Sequence, residues 1–132
     1  MTQHAAGTFQ VTGWEENTYG DLGGGAKLTR ARIDQDFIGG LTMKGTSESL
    51  MYYAADGTAA FTGLTLMTGQ VDGHEGSFVL RSDGSYDGHD ATSNLEVVPG
   101  SGTGDLAGLR GQGGYAAPPG STGSYTLDYE LG

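Results

Sequence analysis

The chain has 132 residues, among them 26 glycines, three prolines and no cysteine. About one glycine in five residues, against a usual ~7%, calls for many turns, yet glycine and proline together stay below the ~25–30% of low-complexity chains and follow no collagen period. The lack of cysteine excludes disulfides, thiolate metal sites and a cysteine nucleophile, and a net charge of −10 makes nucleic acid and anionic membrane surfaces unsuitable partners.

Residues Met1–Gly7 lack the charged and apolar regions of a secretion signal, and no apolar run approaches the ~20 residues of a membrane helix. A cytoplasmic protein with one domain over 1–132 is expected, residues 1–7 forming a flexible lead-in. Thr8–Thr12 alternates polar and apolar residues and predicts a strand. The longest glycine-free windows are Ala26–Ile38, Thr46–Asp56 and His89–Pro99. Only the first is a serious helix candidate. Its uncharged positions Thr29, Ala31, Ile33, Gln35 and Phe37 alternate with Arg30, Arg32, Asp34 and Asp36, a period of two that favours a half-buried strand. Ala60–Thr68, Ser77–Leu80, Ser93–Val98 and Ser124–Leu131 read as further strands, the last placing Tyr125, Leu127, Tyr129 and Leu131 on one face. Tyr115–Ser124, with Pro118 and Pro119, reads as a loop.

Asp-Gly pairs at Asp56-Gly57, Asp72-Gly73, Asp83-Gly84 and Asp87-Gly88 predict hairpin turns, because type I′ turns require positive φ. Short strands, regular turns and little or no helix predict an all-β fold, an antiparallel barrel or sandwich, and a small closed antiparallel β-barrel of about eight strands is favoured, since closure removes exposed edges.

Three motifs invite chemistry. The glycine-rich Pro99–Gly114 lacks the Lys-Ser/Thr and the following helix of a phosphate loop, and its Asp105 repels phosphate; it reads as a crossover with one helical turn at Asp105–Leu109. Asp72-Gly73-His74-Glu75 and Asp87-Gly88-His89-Asp90 each carry metal-ligating residue types. In a meander, however, successive turns lie at opposite ends, about 30 Å apart, so no metal site is assigned. Glu15-Glu16 and Asp34/Asp36 are possible acid–base pairs but read better as solvated surface.

Charges inside strand patterns are more informative. Arg30, Arg32, Glu48, Arg81 and Glu96 interrupt strands, and any that face inward must be paired. An inward Arg–Glu pair among Trp14, Tyr52 and Tyr86 would make a polar site in an apolar pocket. On that reading Glu48 is the candidate acid or base and Arg30 its partner. Trp14, Tyr52, Tyr86, Arg32, Arg81 and Glu96 are the candidate ligand-binding residues.

Several segments resemble one family over Gly7–Leu131. They are Gly7-Thr8-Phe9 with Trp14-Glu15-Glu16; Lys27–Ala31; Leu50-Met51-Tyr52-Tyr53 with Asp56–Ala59; Gly76–Leu80; Val97–Gly111; and Tyr125–Tyr129. In order and spacing they resemble the bacterial domain-of-unknown-function family 3224 (DUF3224), which commonly shows Gln-His where this chain has Arg81-Ser82. The resemblance implies a small closed barrel similar to allene oxide cyclase and dirigent proteins, whose cavities take apolar molecules. It implies no established reaction.

Two functions are therefore expected to compete. One is a cavity that binds a small, largely apolar molecule, with cofactor-free cyclisation or isomerisation as the reaction class, no cofactor, and a cavity of at least ~300 Å³ reached by Glu48 or Arg30. The other is a non-catalytic binding module, a homodimer with a filled barrel and an apolar patch at Leu64, Leu66 and Met67. Hydrolysis by paired aspartates is a third reading and needs carboxyls within about 3 Å.

Overall fold

Period-two patterning runs through nearly the whole chain, and eight strands result. The computed structural model describes residues 2–118 and 122–131. The strands are β1 (Gln3–Gly23), β2 (Ala26–Gly39), β3 (Leu41–Tyr53), β4 (Ala59–Val71), β5 (His74–Tyr86), β6 (Ala91–Val97), β7 (Leu109–Ala117) and β8 (Thr122–Leu131). Each pairs antiparallel with the next, and β8 pairs with β1 to close the barrel. The expected fold class is thus found. β3 covers most of the glycine-free window at Thr46–Asp56, and the helix candidate Ala26–Ile38 lies within β2.

Turn chemistry explains three of the four Asp-Gly pairs. Asp72 and Gly73 both have positive φ, 47° and 86°, and join β4 to β5 as a two-residue primed turn. Asp56 and Asp87 accept hydrogen bonds from backbone amides two residues on, those of Thr58 and His89, and so shape the β3–β4 and β5–β6 loops. The fourth pair is a correction. Asp83-Gly84 lies inside β5, opposite Asn94 and Ser93 of β6. Gly84 is there for space: a Cβ on it would sit 2.5 Å from Cζ of Phe61.

Other boundaries also move. Gln3–Gly7, expected as a flexible lead-in, pair in register with Tyr129–Tyr125 of β8. The loop expected at Tyr115–Ser124 is shorter, because β7 continues to Ala117 and β8 starts at Thr122; Pro119 and the two residues after it lie outside the described residues. The helical turn of the glycine-rich crossover is a 3₁₀ turn at Gly104–Leu106, one residue earlier than expected, and Leu109 already belongs to β7.

Hydrophobic side chains fill only one end of the barrel. At the end carrying the β2–β3, β4–β5 and β6–β7 connections, Leu41, Met67, Val71, Phe78, Leu127 and Leu106 are buried almost completely. The crossover closes this end. Thr103 N–H donates to Ser77 O at 2.8 Å, Ser101 Oγ accepts from Val79 N–H at 3.0 Å, and Leu106 drops into the core. Tyr125 ties the same end together: its hydroxyl donates to Ile38 O at 2.6 Å and accepts from Leu41 N–H at 2.9 Å.

Candidate functional site

The other half of the barrel is hollow. A cavity of about 520 Å³ opens at the end carrying the β1–β2, β3–β4 and β5–β6 connections. Its floor is aromatic: the Phe9 ring lies 5.3 Å from Phe37 and 5.2 Å, edge-on, from Tyr115, while Phe37 meets Tyr125 at 5.5 Å. These rings separate the packed end from the void. Val11, Leu95 and Ala117 form one wall; Gln35, Ser47, Ser49, Thr65 and Ser82, interleaved with Ile33, Met51 and Leu80, form the facing wall; Trp14, Tyr53, Phe61, Tyr86 and His89 surround the mouth. No Asp, Glu, Lys or Arg is among the described residues lining it. Burial pushes the Tyr115 hydroxyl up to about 12, so it is neutral at physiological pH.

The void follows from side-chain size. Inward positions near the packed end carry Phe37, Met43, Met67 and Phe78, whereas one layer higher they carry Ser47, Ser49, Thr65 and Ser82. Ser47 Oγ lies 2.6 Å from Thr65 Oγ1 and donates to Gln35 Oε1 at 3.3 Å, so part of this wall is internally bonded.

A bulge places an acid beside the mouth. The β1–β2 register shifts between Val11 and Gly13, so odd positions (Phe9, Val11) face inward before it and even positions (Trp14, Glu16) after it. Glu16 turns towards the interior of β2 and β3. Its Oε2 accepts from Thr29 Oγ1 and from the Tyr53 hydroxyl, each at 2.6 Å, and its Oε1 accepts from Trp14 Nε1 at 2.9 Å. Burial raises its pKa, but the bonds from Thr29, Tyr53 and Trp14, aided by Lys27, outweigh that and hold the carboxyl below its ordinary value. Burial and the adjacent Glu16 together push the Tyr53 hydroxyl well up. Lys27 Nζ sits 5.1 Å from the centre of the Tyr53 ring. Glu16 therefore holds two cavity-lining rings in place.

Most of the charged candidates lie elsewhere. Arg30, Arg32, Glu48, Arg81 and Glu96 are all exposed on the outer face, as is Tyr52. Strand parity is the reason: they alternate with the buried Ala31, Ile33, Ser47, Ser49, Ser82 and Leu95. Arg32 stands opposite Glu48, and Arg81 bonds to Glu96, both as exterior cross-strand pairs. The cavity thus exceeds the expected size but neither Glu48 nor Arg30 reaches it. Trp14, 50% exposed, and Tyr86, 37% exposed, do line its mouth.

The remaining candidates separate too. Glu15 is exposed opposite Arg32 while its neighbour Glu16 is partly buried. Asp34 and Asp36 share the outer face of β2 two residues apart, about 7 Å by strand geometry and too far to share a proton. His74 begins β5, paired with Val71, and His89 lies in the β5–β6 loop at the other end of the strand. Leu64 and Leu66 are each 52% exposed on β4, but Met67 points inward and is fully buried. Sequence reasoning missed the polar wall: Gln35, Ser47, Ser49, Thr65 and Ser82. Their shared parity with Met43 and Met51 on β3, and with Phe61 on β4, was the available signal.

Comparison with known proteins agrees with this architecture. The crystal structure of a protein with unknown function from the DUF3224 family of Shewanella oneidensis MR-1 is similar at 27% identity. The match covers 100% of this chain and 99% of that one, with a TM-score of 0.79. No curated protein matches. The model of the family described as "Protein of unknown function (DUF3224)" matches residues 5–129, which places the chain in that family.

Proposed function

We propose that the barrel binds a small, largely apolar molecule in its hollow half. The observation that carries this reading is the division of the interior: one end packed solid, the other an open cavity of about 520 Å³ with an aromatic floor and mouth. That size lies within the ~300–1,000 Å³ usual for small-molecule sites. Filling those positions with leucine or phenylalanine would stabilise the barrel, so small side chains there favour an occupant over stability.

Binding without catalysis is the better supported form. Cyclisation or isomerisation needs an acid, base or charge stabiliser at the reacting atoms. Among the described residues the lining carries no carboxylate or basic side chain apart from His89 at the mouth, and Glu16 is occupied by three donors.

Trp14 is the chain's single tryptophan and stands at the mouth, so its fluorescence reports occupancy. Pyrene added to the purified protein should quench Trp14 saturably, and native mass spectrometry after mild purification should show retained small molecules. Ser49→Phe, which narrows the void, should keep the barrel folded and weaken quenching. Undiminished pyrene binding by that variant would defeat the reading.

A further inference from the structure

The cavity is chemically two-sided, and this bears on what fills it. Gln35, Ser47, Ser49, Thr65 and Ser82 come from four consecutive strands, β2 to β5. Register makes them neighbours: Ser47 lies opposite Thr65, while Ser49 and Ser82 both face Gly63 across adjoining ladders. Gly63 has no side chain to interrupt the band. Phe9, Val11, Leu95, Tyr115 and Ala117 stand on strands across the void. The lining's amide and small hydroxyl side chains are therefore gathered on β2–β5, among Ile33, Met51, Phe61 and Leu80, while the strands across the void offer hydrocarbon apart from the Tyr115 hydroxyl.

Part of the polar wall is free to bind. Gln35, Ser47 and Thr65 are linked to one another, but Ser49 Oγ has no hydrogen-bond partner among the described residues, and Ser82 Oγ reaches only Gly63 O at a long 3.5 Å. Among the described residues no fully buried polar side-chain atom is left unpaired, and both of these serines line the cavity, where an occupant can reach them. Formal charge, in contrast, is kept outside. All six Lys and Arg residues are exposed, and the net charge is −10. An anionic ligand would lose its hydration against a wall with no cation.

We infer that the occupant is an uncharged amphiphile, with hydroxyl or carbonyl oxygens along one edge and a hydrocarbon face on the other. This rests on the cavity-binding reading above. It predicts a ranking among probes that share one apolar body: 1-pyrenemethanol first, pyrene second, and 1-pyrenecarboxylate last at neutral pH.

Each probe is titrated against the full-length protein and followed by Trp14 quenching. The alcohol should bind about fivefold tighter than pyrene, as one or two neutral hydrogen bonds allow, and at least about tenfold tighter than the carboxylate. In Ser49→Ala/Ser82→Ala, the alcohol's advantage over pyrene should vanish while pyrene still binds. Ser49→Ala alone should reduce it about two- to fivefold, and this variant carries the test if the double variant melts early. Tight binding of the carboxylate, or an alcohol preference that survives both variants, overturns the inference but leaves cavity binding standing. No quenching by any of the three probes overturns both.

Discussion

Glu16 is the residue through which the fold is most easily tested, because three donors depend on it. Thr29 is fully buried, Tyr53 is half-buried and Trp14 is half-exposed. Glu16→Ala strands the Thr29 hydroxyl, at about 1–3 kcal/mol, and removes two further charge-assisted bonds that water replaces in part. The expected loss is about 3 kcal/mol. Glu16→Gln keeps an oxygen towards Thr29 and Tyr53 but turns an amide donor on Trp14, so it should cost only about 1 kcal/mol. For 132 residues the unfolding entropy is about 0.28 kcal/mol per kelvin, and the melting temperature should fall by roughly 11 °C and 4 °C respectively. Urea unfolding followed by circular dichroism and Trp14 fluorescence measures both losses. The pH dependence carries the sign. The folded carboxyl is held below its ordinary 4.5, so its stabilisation is present above that value and disappears as pH falls through the folded pKa. Both variants should therefore lose less stability than the parent on acidification below about pH 5. A Glu16→Ala protein within about 0.5 kcal/mol of the parent, with the same acid limb, would refute the account of the cluster.

Three further outcomes follow from the same geometry. Gly123→Ala puts a methyl group 2.6 Å from Cε1 of Phe9 and should destabilise the barrel by about 1–3 kcal/mol; adding Phe9→Leu should recover part of that loss in a double-mutant cycle, and strict additivity would count against the contact. Burial pushes the Tyr115 and Tyr129 hydroxyls up to about 12, the latter with help from Asp72, so the folded state holds protons that the unfolded chain releases near 10. Stability should be complete below pH 10 and fall steadily as pH rises towards 12, less steeply in Tyr115→Phe, and a flat profile by denaturant titration would contradict it. Glu48→Gln and Arg30→Gln, both on the outer face, should leave pyrene affinity within about twofold; a larger loss would place these side chains nearer the cavity than their strands do.

Strand alternation made most of the fold legible. Thr29 to Phe37 and Tyr125 to Tyr129 alternate in the chain as they do in the barrel, and Asp72-Gly73 makes the expected primed turn. What was hidden is where a local signal is overridden by its neighbours. Asp83-Gly84 carries a strong turn signal, yet Thr62 and Asn94 pair with Asp83 from both sides and Phe61 fills the space above Gly84, so the strand runs on. Gln3–Gly7 carries little apolar signal of its own and is ordered by the ladder to β8, a contact between residues more than a hundred positions apart.

The site was less legible for a different reason. Parity alone decides whether a charged residue in a barrel strand faces the core, and a pattern without a known starting face leaves two choices. Arg30, Arg32 and Glu48 resolve outward because Ala31, Ile33 and Ser47 occupy the inner face. Applied to β1, the same rule fails: counting on from Phe9 and Val11 puts Trp14 and Glu16 outside and Glu15 inside. The bulge between Val11 and Gly13 reverses the count and delivers both to the mouth. A single extra residue thus separates a solvated acid from one that holds Trp14 and Tyr53 in place, and no composition or spacing rule distinguishes Glu15 from Glu16 without it. The hollow itself is written in the chain more plainly than its polar wall suggested. Ser47 and Ser49 sit in phase with Met43 and Met51, and small polar residues at in-phase core positions of a closed barrel can only leave space.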